Sequence, residues 1–176
     1  DLFSGQGKNI CFLDVETTGK NRQDDGIVEV AVKSVSINEQ SGEILSINNQ
    51  YESFNDPGTP ISEEASSVNG ITDEMISGKH IDWDIVKGIF SSTELLVSHN
   101  ASFDRAFLDR ALPESKKKLW ACSINDIDWM LRGFKNVKQE LLCIWHGFYY
   151  GSHRAMNDVD ALINLLTHDI YTDNKP

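Results

Sequence analysis

Long apolar runs are missing from this chain. The longest, such as Ile10–Leu13, fall far short of the roughly 20 residues that cross a bilayer, so no membrane-spanning segment is expected. Asp1–Asn9 shows no charged-then-apolar pattern of a secretory signal. Cysteine is scarce: Cys11, Cys122 and Cys143 are odd in number and lack paired CxxC spacing. That favours buried thiols in a reducing, cytoplasmic compartment over a disulfide framework or a zinc site. Basic residues are also short, 16 against 27 acids for a net charge of −11, which argues against gripping nucleic acid by bulk charge alone. Four prolines, 12 glycines and no low-complexity tract exclude a collagenous or disordered chain. What remains is 176 residues at 40% hydrophobic content, enough for one domain over residues 1–176 with its core at about 9–166.

The pattern along the chain sorts into strands first and then strands mixed with helices. Lys8–Asp14 (KNICFLD) reads as a central strand ending in an acid, Ile27–Ile37 alternates as a half-buried strand should, and Ile44–Phe54 supplies a third. Short connections, with Gly42 in the second, make these an antiparallel meander. After the break at Asp56–Pro60, a short helix begins near Ser62, and Asp82–Phe90 forms another. Glu94–Val97 is a buried strand that leads straight into a helix over Ala101–Leu112, stopped by Pro113. Ser123 is expected to cap a helix carrying Ile124, Ile127, Met130 and Leu131, followed by helices at Val137–Trp145 and Ala155–Leu166. The order predicts an α/β chain whose mixed central sheet, an antiparallel meander plus parallel strands, is flanked by helices.

Chemistry gathers at three places. Asp14 and Glu16 stand two apart at a strand end, so in an extended chain both carboxylates point to one side, where they repel unless a cation lies between them. Hard oxygen donors suit Mg²⁺ or Mn²⁺, although an ordinary exposed strand end has the same spelling. Thr17-Thr18-Gly19 allows a ligand close to the backbone. Asp104 lies in the first turn of a helix that Asn100 can already cap, which leaves it free for another task or simply facing the helix dipole. His153 precedes Asp158 by five residues, and a neutral imidazole is the side chain ready to take a proton from water at neutral pH. Four acids and one base on three segments form the parts list of metal-assisted hydrolysis.

FLDVETTG at Phe12–Gly19, SHNASFDRAFL at Ser98–Leu108 and HRAMNDVDAL at His153–Leu162 resemble the three motifs of the DnaQ-like, DEDDh-type 3′→5′ exonucleases, in their usual order and spacing. PISEEASSVNGIT at Pro60–Thr72 is similar to the family segment ending in His-Gly-Ile-Thr. Trp120–Ser123 and Trp145–Phe148 resemble a bacterial branch of polymerase III epsilon-like exonucleases. The resemblance implies a ribonuclease H-like fold in which Asp14, Glu16, Asp104 and Asp158 hold two divalent ions, Mg²⁺ or Mn²⁺, and His153 is the general base. It further implies that Thr17 and the backbone at Val15 hold a terminal 3′-hydroxyl, and that His99, Asn100 and Phe103 border the terminal nucleotide. Ile71 is either a wedge between terminal bases or core. Asn69, where the family often has His, removes a cation near the nucleotide.

The implied substrate is nucleic acid with a free 3′ end, single-stranded DNA ahead of RNA, cut to nucleoside 5′-monophosphates. A polymerase subunit is a possible partner. Arg105, Arg154 and Lys116–Lys118 are candidate phosphate contacts, and the four tryptophans are expected mostly in the core. Two rivals compete. One is a phosphatase with an aspartyl nucleophile, which Glu16 fits poorly; the other is a noncatalytic scaffold that binds nucleic acid or a polymerase.

Overall fold

The computed structural model describes residues 7–168. Its centre is a five-stranded sheet in the order β3-β2-β1-β4-β5. The first three strands, β1 (Lys8–Thr17), β2 (Ile27–Ile37) and β3 (Ile44–Phe54), pair antiparallel, as their short connections require. β4 (Leu95–Ser98) and β5 (Leu119–Cys122) then add parallel to β1, each reached through helical crossovers. Between β3 and β4 lie α1 (Glu63–Asn69), α2 (Asp73–Ile76) and α3 (Trp83–Ser91). Helix α4 (Ala101–Ala111) and a 3-10 turn at Pro113–Lys117 join β4 to β5, and α5 (Gln139–Trp145) and α6 (Ala155–Leu166) complete the chain.

The period of two along β1 divides the interior. Cys11, Leu13 and Val15 pack on one face with Val86, Phe90, Phe107 and Leu108 of α3 and α4. Phe12, between them, belongs to the other face with Ala31, Val35 and the α6 residues Ala155, Val159, Leu162 and Ile163. A strand buried on both faces reads as a near-continuous apolar run, and for this reason KNICFLD shows so little alternation. Asp14 and Glu16 share the parity of Phe12, so both lie on the α6 side.

Capping sets the helix starts locally. Ser62 accepts from the Ala65 amide, Asp82 accepts from those of Asp84 and Ile85, and α1 ends at Gly70, whose φ of 68° suits the one residue without a Cβ. Asn100 departs from expectation. It occupies the cap position of α4 in a left-handed conformation (φ 71°), and its side chain caps no amide of the helix.

The helix expected after Ser123 does not form. Residues 123–138 run through turns, with Met130 and Leu131 65% and 86% exposed rather than facing a core. Aspartates hold the segment in turns: Asp126 folds back to accept from the Cys122 N–H at the end of β5, and Asp128 takes the Leu131 N–H that a helix would use. Trp129 instead plugs the cluster of Leu142, Cys143 and Leu165, donating its indole N–H to the Ser123 carbonyl at 2.6 Å. Helix α5 accordingly starts at Gln139, two residues later than its apolar pattern suggests. β5 and the single turn α2 are additions that the periodicity did not signal. Trp83 and Trp120 also pack against core, whereas Trp145 is half exposed and stacks on Phe134. All three cysteines are buried and free.

Truncating the fully buried Phe107 to Ala is expected to cost about 3–5 kcal/mol in urea denaturation, as a large cavity should. Leu131→Ala, on the exposed turn, is expected to stay within about 0.5 kcal/mol of the parent; a helical core role for residue 131 requires a much larger loss.

Candidate active site

The carboxyl end of β1, the start of α4 and the start of α6 meet at one cavity of about 420 Å³. Asp14, Glu16, Asp104, His153 and Asp158 all line it, together with Val15, His99, Asn100 and Phe103. Asp14, Glu16 and Asp158 each bring a carboxylate oxygen to within 4.8 Å of the others. That is a donor set of hard oxygens with the chemistry of a divalent-cation site. Of the expected site residues, Ile71 and Thr17 lie outside this cavity's wall.

Asp104 is the most deeply buried of the four acids, and the protein satisfies it. One oxygen accepts from the Val15 amide at 3.1 Å and the other from the Ser98 hydroxyl at 2.6 Å. The Val15 N–H, expected to help hold a sugar hydroxyl, is therefore engaged with Asp104. Asp158 accepts from the Tyr150 hydroxyl at 2.9 Å and the Arg154 amide at 3.2 Å, while its own carbonyl accepts from Gln139. Glu16 is hydrogen-bonded by Asn69, whose own oxygen accepts the Ile71 amide at 2.9 Å. The residue that replaces a family histidine thus ties a loop to a site acid.

Crowding and burial show in the proton affinities. Burial, and then the charges of Asp104, Glu16 and Asp158, hold Asp14 well above the usual carboxylate range. Burial and Asp158 push Glu16 up to about 8. Burial raises Asp104 to about 7 against the opposing pull of its bonds to Ser98 and Val15. Asp158 is raised by burial too, moderated by the Tyr150 hydroxyl.

His153 stands in the left-handed region (φ 63°), and its Nε2 lies 2.8 Å from Glu140 Oε1. A carboxylate can only accept, so Nε2 carries the hydrogen, and in the neutral tautomer this fixes, Nδ1 is the acceptor. His99 lines the cavity through a ring held at both nitrogens. Its Nδ1 meets the Ser123 hydroxyl and its Nε2 the Val137 carbonyl, both at 2.7 Å, so the ring is a strut between the end of β4 and the wall that leads into α5. Burial lowers its proton affinity against the opposing pull of its bond to Val137.

A second cavity of about 610 Å³ shares Glu16, Asn100 and Phe103 with the first and is walled by Thr17, Val68 and Asn69. Thr17 Oγ1 donates to the Gly19 carbonyl at 2.6 Å. Arg110 pins the outer loop by donating to the carbonyls of Arg22 and Gln23 and to that of Asp25. Ile71 is not on this surface. It is wholly buried with Val28 and Ile76, which corrects the wedge expectation: no face of the side chain is open to a base. Arg154, a candidate phosphate contact, is instead paired with the buried Glu29. Neither Glu29, Tyr150, Gln139 nor Glu140 stood out in the sequence. An acid inside the apolar strand IVEVAV was the available signal for Glu29.

Raised carboxyl groups bind protons more tightly folded than unfolded, so deprotonation between the ordinary range and about 8 favours the unfolded chain. The thermal midpoint in EDTA is expected to fall as pH rises from about 5 to about 8, and Mn²⁺ is expected to restore it more at the upper end. A midpoint that is flat over this window contradicts the crowding.

The model of the exonuclease family that takes its name from RNase T matches residues 11–166. DNA polymerase III PolC-type from Listeria innocua is 39% identical over 159 residues, which cover 86% of this chain and 10% of the polymerase. The chain thus spans about a tenth of the length of the relatives it matches. Two solved structures share the fold. E. coli ExoI in complex with single-stranded DNA has a TM-score of 0.77 at 16% identity, covering 96% of this chain and 41% of that one. The nuclease domain of 3′hExo, a DEDDh family member bound to rAMP, has a TM-score of 0.68 at 16% identity over 96% and 94%. With the three motifs lying at one cavity of a mixed five-stranded sheet, the chain belongs to this exonuclease family.

Proposed function

We propose that residues 9–166 form one exonuclease domain that removes nucleotides from the 3′ end of single-stranded DNA, releasing nucleoside 5′-monophosphates. One observation carries this reading: carboxylates from positions as distant as 14 and 158 converge within 4.8 Å, in a cavity that also holds an imidazole. Asp14, Glu16 and Asp158, with Asp104 beside them, would hold two divalent cations, Mg²⁺ or Mn²⁺. Bound there, such ions would supply Lewis-acid polarisation of a phosphate oxygen and a water of lowered pKa.

The protein's own residues supply the rest. His153 takes the proton of the attacking water at Nδ1, while Glu140 holds its Nε2–H and stabilises the imidazolium that forms. Tyr150 keeps its proton, since burial and Asp158 raise its affinity, and so it remains a donor that orients Asp158. The second cavity is of a size for one nucleoside, with Phe103 and Asn100 at its junction with the acids and Thr17 on its wall. Single-stranded DNA in the ExoI structure and the polymerase context of the PolC relatives support DNA as substrate and trimming of polymerase product ends as the task. The acidic surface leaves a short grip on the terminus as the main contact. No helix among the described residues is long and apolar enough to cross a membrane, and three buried free thiols fit the reducing cytoplasm.

Asp14→Ala or Asp158→Ala is expected to abolish release of mononucleotides, measured on 3′-labelled oligonucleotides with Mg²⁺, Mn²⁺ or EDTA. His153→Ala is expected to lower turnover by about 10²–10⁴-fold while calorimetric Mn²⁺ binding is largely kept. Near-normal turnover in His153→Ala removes it as the base. In side-by-side digestion, DNA oligonucleotides are expected to be consumed faster than RNA; the reverse order makes the domain an exoribonuclease.

A further inference from the structure

Glu29 is an acid with 1% exposure near the start of β2, and the proposed chemistry gives it no task. It stands directly opposite Glu16 in the antiparallel register of β1 and β2. Like charges facing each other across strands repel, and here they do so beside an already crowded set of carboxylates. The fold retains Glu29 because Arg154 meets it with a two-pronged contact: Nη2 to Oε1 at 2.8 Å, and Nε to Oε1 and Oε2 at 3.2 and 3.3 Å. The other carboxylate oxygen also accepts the Ala155 amide at 3.0 Å, so Glu29 binds the first turn of α6. Phe54 lies under the guanidinium, 5.1 Å from its ring centre.

Arg154 links this buried acid to the site on both sides. Its amide donates to Asp158, and its neighbour His153 holds the left-handed turn that brings the imidazole to the cavity. A non-glycine residue at positive φ persists only where its surroundings over-determine it. We propose that Glu29 and Arg154 form a positioning clamp: β2 grips the start of α6, and this grip sets the His153 turn and the Asp158 carboxylate against Asp14 and Glu16. Arg154 is then a positioning residue, engaged inward, and not a contact to substrate phosphate. The inference rests on the active-site reading above and adds to it two residues that touch no reacting atom.

The test compares Glu29→Gln, Arg154→Ala and His153→Ala with the corresponding double variants, in steady-state digestion of a single-stranded DNA oligonucleotide with Mn²⁺. Glu29→Gln and Arg154→Ala are expected to behave alike, each losing about 10–100-fold in kcat with KM changed by less than about threefold. Added to His153→Ala, either is expected to cost clearly less than it does alone, because the part of its effect that runs through the imidazole is already lost and only the part through Asp158 remains. In the metal-free protein, both are expected to speed hydrogen exchange at the Ala155 and Asp158 amides and to shift the His153 imidazole resonances, with exchange in β1 unchanged.

Should Glu29→Gln leave Arg154 unpaired and fail to fold, Glu29→Met/Arg154→Met removes both charges together, and the same losses are expected from it. A raised KM in Arg154→Ala with Glu29→Gln unaffected overturns the proposal in favour of a phosphate contact. Losses that multiply in full with His153→Ala, or unchanged exchange at α6, overturn it as well. Full activity in Asp14→Ala and His153→Ala instead defeats the active-site reading itself, whatever the clamp variants show.

Discussion

Repulsion among carboxylates at the end of β1 is the constraint around which this molecule is arranged. Asp14, Glu16, Asp104 and Asp158 are drawn together from three segments, and Glu29 lies on the strand opposite Glu16. Four of the five have a specific counterweight. Val15 and Ser98 donate to Asp104, Tyr150 and Arg154 to Asp158, Asn69 to Glu16, and Arg154 with Ala155 to Glu29. These donors orient the acids without removing the excess charge, since only Arg154 among them is cationic. The cluster is therefore poised for divalent cations, which supply the missing positive charge.

The layers explain how such a cluster is tolerated at all. Apolar packing of β1 against α3 and α4 on one face and α6 on the other anchors the strand through Cys11, Leu13 and Phe12 before the acids begin. Helix α6 continues into the interior through Val159, Leu162 and Ile163, so the position of Asp158 is carried by a long apolar contact as well as by hydrogen bonds. Lys33, four residues along β2 from Glu29, pairs with Asp160 on the same helix. Two opposite charges on one strand thus meet two complementary ones on α6, which pins its register and rotation as well as its distance. Packing provides the affinity between these elements; the charged pairs select one arrangement.

Much of the architecture was legible because it follows from local rules. The meander, the strand leading into α4 and the final helix obey period, capping and breaker signals that a few consecutive residues contain. Asp14 and Glu16 on a common face needed only the alternation of a strand. The turns at 123–138 misled because the apolar residues there fit a helical spacing, while Asp126 and Asp128 hold the segment in turns and Trp129 finds its core across the molecule. β5 is four residues of ordinary composition, and only its pairing with β4 makes it a strand.

At the site, the residue types and their order along the chain were readable, and with them the family's chemistry. Which groups each residue meets was not. Ile71 is core because β2, β3 and α2 close over it; His99 is a strut because Ser123 and Val137 reach it; Arg154 is paired because a buried acid on β2 waits opposite. The one-dimensional chain determined which side chains can bear charge, give a proton or ligate a cation, and which of them share a strand face, since these depend on covalent structure and on backbone geometry over a few residues. Only the tertiary structure decided which of them are buried, paired or left open to a ligand, because burial and partnership are set by segments more than a hundred residues apart, as with Glu29 and Arg154.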